Sequence, residues 1–211
     1  MSLQERARKI FEILKKGYPD AKIELTYKNP FQLLIATILS AQCTDVQVNK
    51  VTPALFAKFK TPNDFAKANR ATLESMIRST GFYKNKAASI QNCSQKLVSD
   101  FNGRVPNTMD GLTSLPGVGR KTANVVLGGY FGIPGIVVDT HVSRVSQRLG
   151  LTKNENADKI EFDLQKFLTA KDWIQLSLVL MIHGRRCCSA KKPNCTGCPV
   201  ASLCPSKNKF S

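Results

Sequence analysis

The sequence predicts an all-α protein. Two observations carry that class: apolar residues recur at helical spacing along the chain, and alternating β-branched runs bounded by turns are nearly absent. With 211 residues and 42% hydrophobic content, the chain buries a real core, as one domain or as two small ones.

Taken in order, Ile10, Phe11, Ile13 and Leu14 form one face of a first helix that ends near Gly17 and Pro19. Pro30 starts a second, whose all-round apolar Phe31, Leu33, Leu34, Ile35, Ile38 and Leu39 predict deep burial. Thr44-Asp45-Val46-Gln47 has the form of a capping box opening a third helix, and Pro53 is expected to kink or divide it near Thr52. Thr61-Pro62-Asn63-Asp64 starts a short helix, Ala71 to Ser79 forms another stopped by Gly81, and Asn85 to Phe101 forms a long one ended by Gly103. Further on, Gly128-Gly129 marks either close helix packing or an early helix end. Asn156 to Leu168 and Asp172 to His183 supply two later helices.

Thirty-one Lys and Arg against fifteen Asp and Glu leave a net charge of +16, which points to a polyanionic partner. Glu5, Arg6, Arg8 and Lys9 precede any sustained apolar run, unlike a secretory signal. The longest apolar stretches, Leu33 to Leu39 and Trp173 to Ile182, fall short of the roughly 20 residues that span a bilayer. A cytoplasmic, nucleoid-associated monomer with no membrane partner is expected.

The stretch around which chemistry is organised is Leu115-Pro116-Gly117-Val118-Gly119-Arg120-Lys121, followed by Val137-Val138-Asp139-Thr140-His141. Pro116, Gly117 and Gly119 predict a tight turn that opens a helix, where free N–H groups and the positive end of the helix dipole favour an anion such as phosphate. Arg120 and Lys121 add two cations to it. Asp139 stands at the start of the next helix, where Asp is a favoured N-cap, so its bland role is a structural cap. The other role joins it to Lys121 as one carboxylate and one amine over a bound nucleotide.

This turn, lysine and aspartate resemble those of the endonuclease III family of DNA glycosylases, which carry a helix-hairpin-helix, a Gly/Pro-rich loop and an aspartate. The resemblance runs from about residue 20 to the last cysteine. It implies two helical domains flanking a DNA-binding cleft: a six-helix domain over residues 22–134, and residues 1–21 joined to 135–211. It also implies base-excision repair of duplex DNA, with oxidised pyrimidines or abasic sites as substrates. Lys121 would attack the sugar C1′, form a Schiff base and allow β-elimination, while Asp139 stabilises charge developing on the sugar. Gly117, Gly119 and Arg120 would hold the DNA backbone. Gln42, in Leu39-Ser40-Ala41-Gln42, and Phe82, in Gly81-Phe82-Tyr83, map to segments that fill the hole left by an extruded base. Phe82 stands where the family more often has Leu; read alone, Gly81-Phe82-Tyr83 is a helix cap with aromatics in the core.

Five of the seven cysteines fall between Cys187 and Cys204, which fits a metal site better than a secreted disulfide framework. Cys188-x6-Cys195-x2-Cys198-x5-Cys204 suits either tetrahedral zinc or an iron–sulfur cluster. The family resemblance selects a [4Fe-4S] cluster, with Cys187 left as a spare and Cys43 and Cys93 as core thiols. Arg185, Arg186, Lys191, Lys192, Lys207 and Lys209 lie near these cysteines and are expected to meet DNA phosphates.

The rival readings are a monofunctional adenine or mismatch glycosylase of the same superfamily and a non-catalytic helix-hairpin-helix DNA-binding protein. Presence of Lys121 favours the bifunctional glycosylase and abasic-site lyase, because those monofunctional relatives lack the lysine.

Overall fold

The computed structural model describes residues 1–209, and every regular element among them is helical. The α-helices are α1 (Leu3–Gly17), α2 (Pro30–Leu39), α3 (Asp45–Lys58), α4 (Pro62–Ala66), α5 (Arg70–Ile77), α6 (Tyr83–Phe101), α7 (Met109–Thr113), α8 (Arg120–Val126), α9 (Thr140–Arg148), α10 (Ala157–Gln165) and α11 (Trp173–Arg186). They divide into two compact units. One is Glu24–Ile133 and holds α2 to α8; the other joins Met1–Ile23 to the chain from Pro134 onward and holds α1 and α9 to α11.

In the first unit α2 is the buried rod, with Pro30 in its first turn and the Asn29 side chain accepting from the Gln32 amide. Its all-round apolar surface is covered by α3, α6 and α8. Phe31 joins Phe56, Phe59 and Phe65 in a nest of edge-on and tilted rings.

Three expectations for this unit need correcting. Helix α3 is not divided at Pro53, because Val48, Thr52 and Leu55 are buried on both sides of it and their packing outweighs one lost hydrogen bond. At its start Thr44 Oγ1 accepts from the Gln47 amide, but the Gln47 side chain donates to Ser79 Oγ at 2.8 Å, leaving the capping box half made. The Gly128-Gly129 pair does not end the helix. Helix α8 continues through Leu127–Phe131 as a π-helical turn, and the Tyr27 hydroxyl donates to the Gly129 carbonyl at 2.7 Å.

The second unit packs α1, α9, α10 and α11 around Ile10, Phe11, Leu14, Ile136, Val145, Ile160, Leu164, Val179 and Leu180. Gly184 lets α11 approach α9, since a methyl there would stand 2.9 Å from His141 Cβ. The segment leading into α10 is tied back to it by Asp163. Its Oδ2 accepts from Thr152 Oγ1 at 2.7 Å and Asn154 Nδ2 at 2.6 Å, and its Oδ1 from Lys166 Nζ at 2.9 Å.

These donors, the Lys166 ammonium first, pull the Asp163 carboxyl down to about 2. A carboxyl whose folded pKa lies below its unfolded value stabilises the fold above the unfolded pKa, about 3.9, and that contribution is lost as pH falls through the folded one. Asp163→Asn should therefore lower Tm at neutral pH. In melts from pH 7 to pH 2, the gap between variant and wild type should close as the pH approaches about 2.

Candidate active site and metal centre

The turn between α7 and α8 is built as its sequence implies at Gly117 and differently at Gly119. Gly117 has φ +77°, and a methyl there would stand 2.7 Å from Ser89 Cβ, so the turn is pressed against α6 at a point only glycine fits. Gly119 is the N-cap of α8 with an ordinary φ of −93°, and a Cβ added there meets nothing within 4 Å. The expectation that the fold needs glycine at both places is therefore corrected for Gly119. It is exposed, and the space beside it is open.

Arg120 and Lys121 occupy the first turn of α8, where the helix leaves its leading N–H groups without intrahelical partners. Lys121 is exposed, while the Leu115 and Val118 side chains are buried beneath the turn. In the other unit, Asp139 is the N-cap of α9, its Oδ1 accepting from the Val142 amide at 2.8 Å. The cap role is thus occupied by one carboxylate oxygen of two. His141 follows it; burial pulls this imidazole below its usual pKa, and Arg144 lies 3.2 Å from its Nδ1.

Gln42 and Phe82 share a feature that no composition argument shows. Among the described residues only three other than glycine have positive φ, and these two are among them, at +51° and +48°. The third, Asn102, caps α6 in a conformation Asn tolerates well. Both Gln42 and Phe82 are exposed, Phe82 at 62%, so the core placement for Phe82 is excluded. Left-handed backbone at a Phe is uncommon and costs of order 1–3 kcal/mol.

The thiols of Cys188, Cys195, Cys198 and Cys204 line one pocket, together with Cys187, His183 and Arg148. Two arginines one turn apart on α9 hold the start of this loop. Arg144 donates to the Cys188 and Gly184 carbonyls, and Arg148 donates to the Ser189 and Ala190 carbonyls and to Cys188 Sγ at 3.5 Å. Cys204 Sγ in turn donates to the Arg148 carbonyl at 3.4 Å.

His183, which the sequence reading passed over, is buried on the last turns of α11. Its Nδ1 lies 2.9 Å from the Tyr18 hydroxyl and its Nε2 3.7 Å from Cys198 Sγ. Burial pulls it down to about 4 and keeps the imidazole neutral. The ligand atoms of His183, Cys187 and Cys198 lie within 4.8 Å of one another, and Cys188, Cys195 and Cys204 stand outside that group. Four thiolates on one zinc ion, each about 2.3 Å from the metal, would bring all their sulfurs closer than that. The four predicted thiols line the pocket without being gathered to that spacing.

The basic residues beside this loop are not equivalent. Arg186 is engaged inside the unit: its guanidinium makes a two-pronged pair with Asp20 at 3.1 and 2.6 Å and lies over the Tyr18 ring. This pair lies at the surface, with both side chains about half exposed. Lys191, Lys192, Lys207 and Lys209 are exposed. No helix among the described residues is long and apolar enough to cross a membrane.

An all-helical chain with a glycine turn opening a lysine-bearing helix, an aspartate-capped helix and a cysteine-lined pocket defines a class: the helix-hairpin-helix repair proteins. The profile of the HhH-GPD superfamily base excision DNA repair protein matches residues 35–170. Endonuclease III of Synechocystis sp. is 53% identical over 206 residues, covering 97% of this chain and 94% of that protein. Endonuclease III of Bacillus subtilis is 46% identical over 188 residues, covering 89% and 86%. A solved structure of a trapped endonuclease III–DNA covalent intermediate, an estranged-adenine complex, superposes with a TM-score of 0.95 at 45% identity over 99% of both chains. This chain belongs to the endonuclease III family of the HhH-GPD superfamily.

The two glycines of the turn make separable predictions. Gly117→Ala should destabilise the fold by roughly 1–3 kcal/mol, a Tm loss of several degrees, from left-handed strain and the Ser89 clash. Gly119→Ala should cost about 1 kcal/mol or less in stability, yet weaken duplex binding about tenfold in a titration at fixed salt, because its Cβ enters the space a phosphate would use.

Proposed function

We propose that this protein is a base-excision DNA glycosylase with abasic-site lyase activity, acting as a cytoplasmic monomer on oxidised pyrimidines in duplex DNA. Lys121 is the nucleophile and Asp139 the electrostatic partner. The observation that carries the reading is a lysine in the first turn of α8, in a chain 45% identical over nearly its whole length to a protein captured covalently on DNA.

The chemistry follows from an amine that attacks in its neutral form. Lys121 Nζ bonds to C1′ as the C1′–base bond breaks, and the base leaves with the electron pair. Opening of the sugar ring gives an imine. Loss of a proton from C2′ then breaks the C3′–O bond, the 3′ phosphate departs, and water releases the lysine. The Asp139 carboxylate stabilises the positive charge that builds on the sugar. The turn at Gly117 and Gly119 grips the adjacent phosphate with backbone N–H groups, Arg120 adds charge, and Gln42 and Phe82 enter the space left by the extruded nucleotide.

A [4Fe-4S] cluster held by Cys188, Cys195, Cys198 and Cys204 fits the thiol-lined pocket and supplies no chemical step. It holds the loop carrying Lys191, Lys192 and Lys207 in one shape toward DNA. The Arg148 N–H directed at Cys188 Sγ favours Cys188 over Cys187 as the first ligand, since a guanidinium beside a thiolate supports its charge.

Borohydride added to the protein and a duplex holding an oxidised pyrimidine should give a covalent adduct and strand cleavage. Lys121→Gln should abolish both while duplex binding persists; a variant that still traps would remove the lysine from this role. For the cluster, Cys187→Ser should keep the brown colour and the iron content of the wild type, and Cys204→Ser should lose them. Four zinc-bound thiols in a colourless wild-type preparation would replace the cluster with zinc and leave the lysine chemistry standing.

A further inference from the structure

We propose that Lys86 is a positioning residue whose buried ammonium ties the loop of Gln42 to the loop of Phe82, so that both side chains are presented to the duplex together. The inference rests on the DNA-glycosylase reading above.

Lys86 is 5% exposed, an unusual state for a lysine. Its Nζ donates to the Leu39 carbonyl at 2.8 Å and to the Thr80 carbonyl at 2.7 Å, and among the described residues no carboxylate pairs with it. Leu39 is the last residue of α2, so the ammonium sits at the negative end of a helix. Thr80 closes the short 3-10 turn that follows α5.

A lysine that only capped α2 would need the first of these contacts. The second reaches a different element, and each carbonyl lies two or three residues before one of the two exposed left-handed residues. Lys86 is also joined to Phe82 through its own backbone, its amide donating to the Phe82 carbonyl at 3.0 Å in the first turn of α6. One side chain thus holds the end of α2, the end of the 3-10 turn and the start of α6 at a single point.

Burial is costly for an ammonium and pulls its pKa below the ordinary lysine range. An apolar side chain of the same length would fill the site without that penalty. What it would lack is a directional grip on two carbonyls from separate elements. That grip matters only if the two loops must keep a fixed spacing, as two side chains entering one gap in a base stack must.

The test uses the full chain with its cluster and compares wild type with Lys86→Met and Lys86→Arg on two DNAs. One is a duplex with an oxidised pyrimidine, which requires extrusion; the other is single-stranded DNA with a preformed abasic site, which does not. Lys86→Met should slow the duplex reaction by about tenfold or more, since small misplacements of positioning groups cost that much. It should leave single-strand cleavage within about threefold, and Lys86→Arg should recover part of the loss. In a Gln42→Ala/Phe82→Ala background, Lys86→Met should add no further loss, because it acts through those residues. Equal losses on both DNAs, additive losses in that background, or no loss at all would overturn the proposal.

Amide hydrogen exchange supplies a readout independent of activity. Lys86→Met should speed exchange in residues 40–44 and 80–84 together, and a change in one segment or neither would count against the tie. If Lys86→Met does not fold, exchange in the wild type decides: one common opening rate for both segments supports the proposal, and unrelated rates overturn it. A wild type inactive on both DNAs would sink the glycosylase reading, leaving the coupling of the loops to the exchange data alone.

Discussion

Helix α6 is the spine on which the parts of its unit proposed to meet DNA are hung, and the contact that makes it so is the one between Gly117 and Ser89. With only 2.7 Å between Ser89 Cβ and the place a methyl would take at 117, the glycine turn rests on α6 at backbone distance. One turn earlier Lys86 reaches two other loops, and one turn before that Phe82 begins the helix. Positions 82, 86 and 89 or 90 share a face of a 3.6-residue helix. Opposite them Gln91 anchors α6 to the short helix α4 and its neighbourhood, donating to the Ala66 and Ala68 carbonyls and accepting from Arg70 Nε. A nineteen-residue helix fixed at that many points changes its register only as a whole.

How much of this could be read from the chain depends on whether the cause of a feature is local. Helix starts were legible at Pro30, Thr61-Pro62-Asn63-Asp64 and Asp139, because a first-turn proline or an N-cap acts within two or three residues of itself. Gly117 was legible for the same reason, since positive φ is a property of one residue. Pro53 misled because the penalty it carries is local while the packing of Val48 and Leu55 that absorbs it is not. Gly119 misled in the opposite sense: its φ is ordinary and a Cβ there would meet nothing, so the local rule that reads glycine as a turn requirement does not apply to it. Lys86 and His183 were silent, since a lysine in a cation-rich stretch and a histidine near a helix end look like solvated residues until carbonyls or thiols from distant segments are set beside them.

The cysteine loop shows the same division. Four thiols at short spacing announce a metal by themselves, but the force that holds the loop against its unit comes from Arg144 and Arg148, some forty residues earlier. Their spacing of four on α9 places both guanidiniums on one face, where they collect the carbonyls of Gly184, Cys188, Ser189 and Ala190. Two fixed cations beside four thiols also offset the negative charge that thiolate ligands bring to a partly buried pocket. The surplus of positive charge in this part of the chain therefore has two jobs. Arg144 and Arg148 bind the loop's own carbonyls, Arg186 pairs with Asp20 at the surface, and the exposed lysines of the loop face solvent, where a polyanion can reach them.

Gln42 and Phe82 both hold left-handed backbone, at φ +51° and +48°. A residue held with positive φ is ordinarily compensated by what its side chain gains in the folded chain, as an Asn or Gly at a helix end gains a cap. Asn102 follows that rule: its amide and that of Gly103 both return to the Leu97 carbonyl at the end of α6. Gln42 and Phe82 do not follow it, because both side chains project into solvent, where Phe82 also leaves most of an aromatic ring wet. Glycine at either position would relieve the backbone at no cost to the core. The role proposed for this glutamine and phenylalanine, entering the space left by an extruded nucleotide, would supply that compensation from a second molecule. In that proposed role the ring of Phe82 would meet the face of an unstacked base and the amide of Gln42 a base edge, two surfaces that differ from solvent in offering a stacking partner and a hydrogen-bond partner.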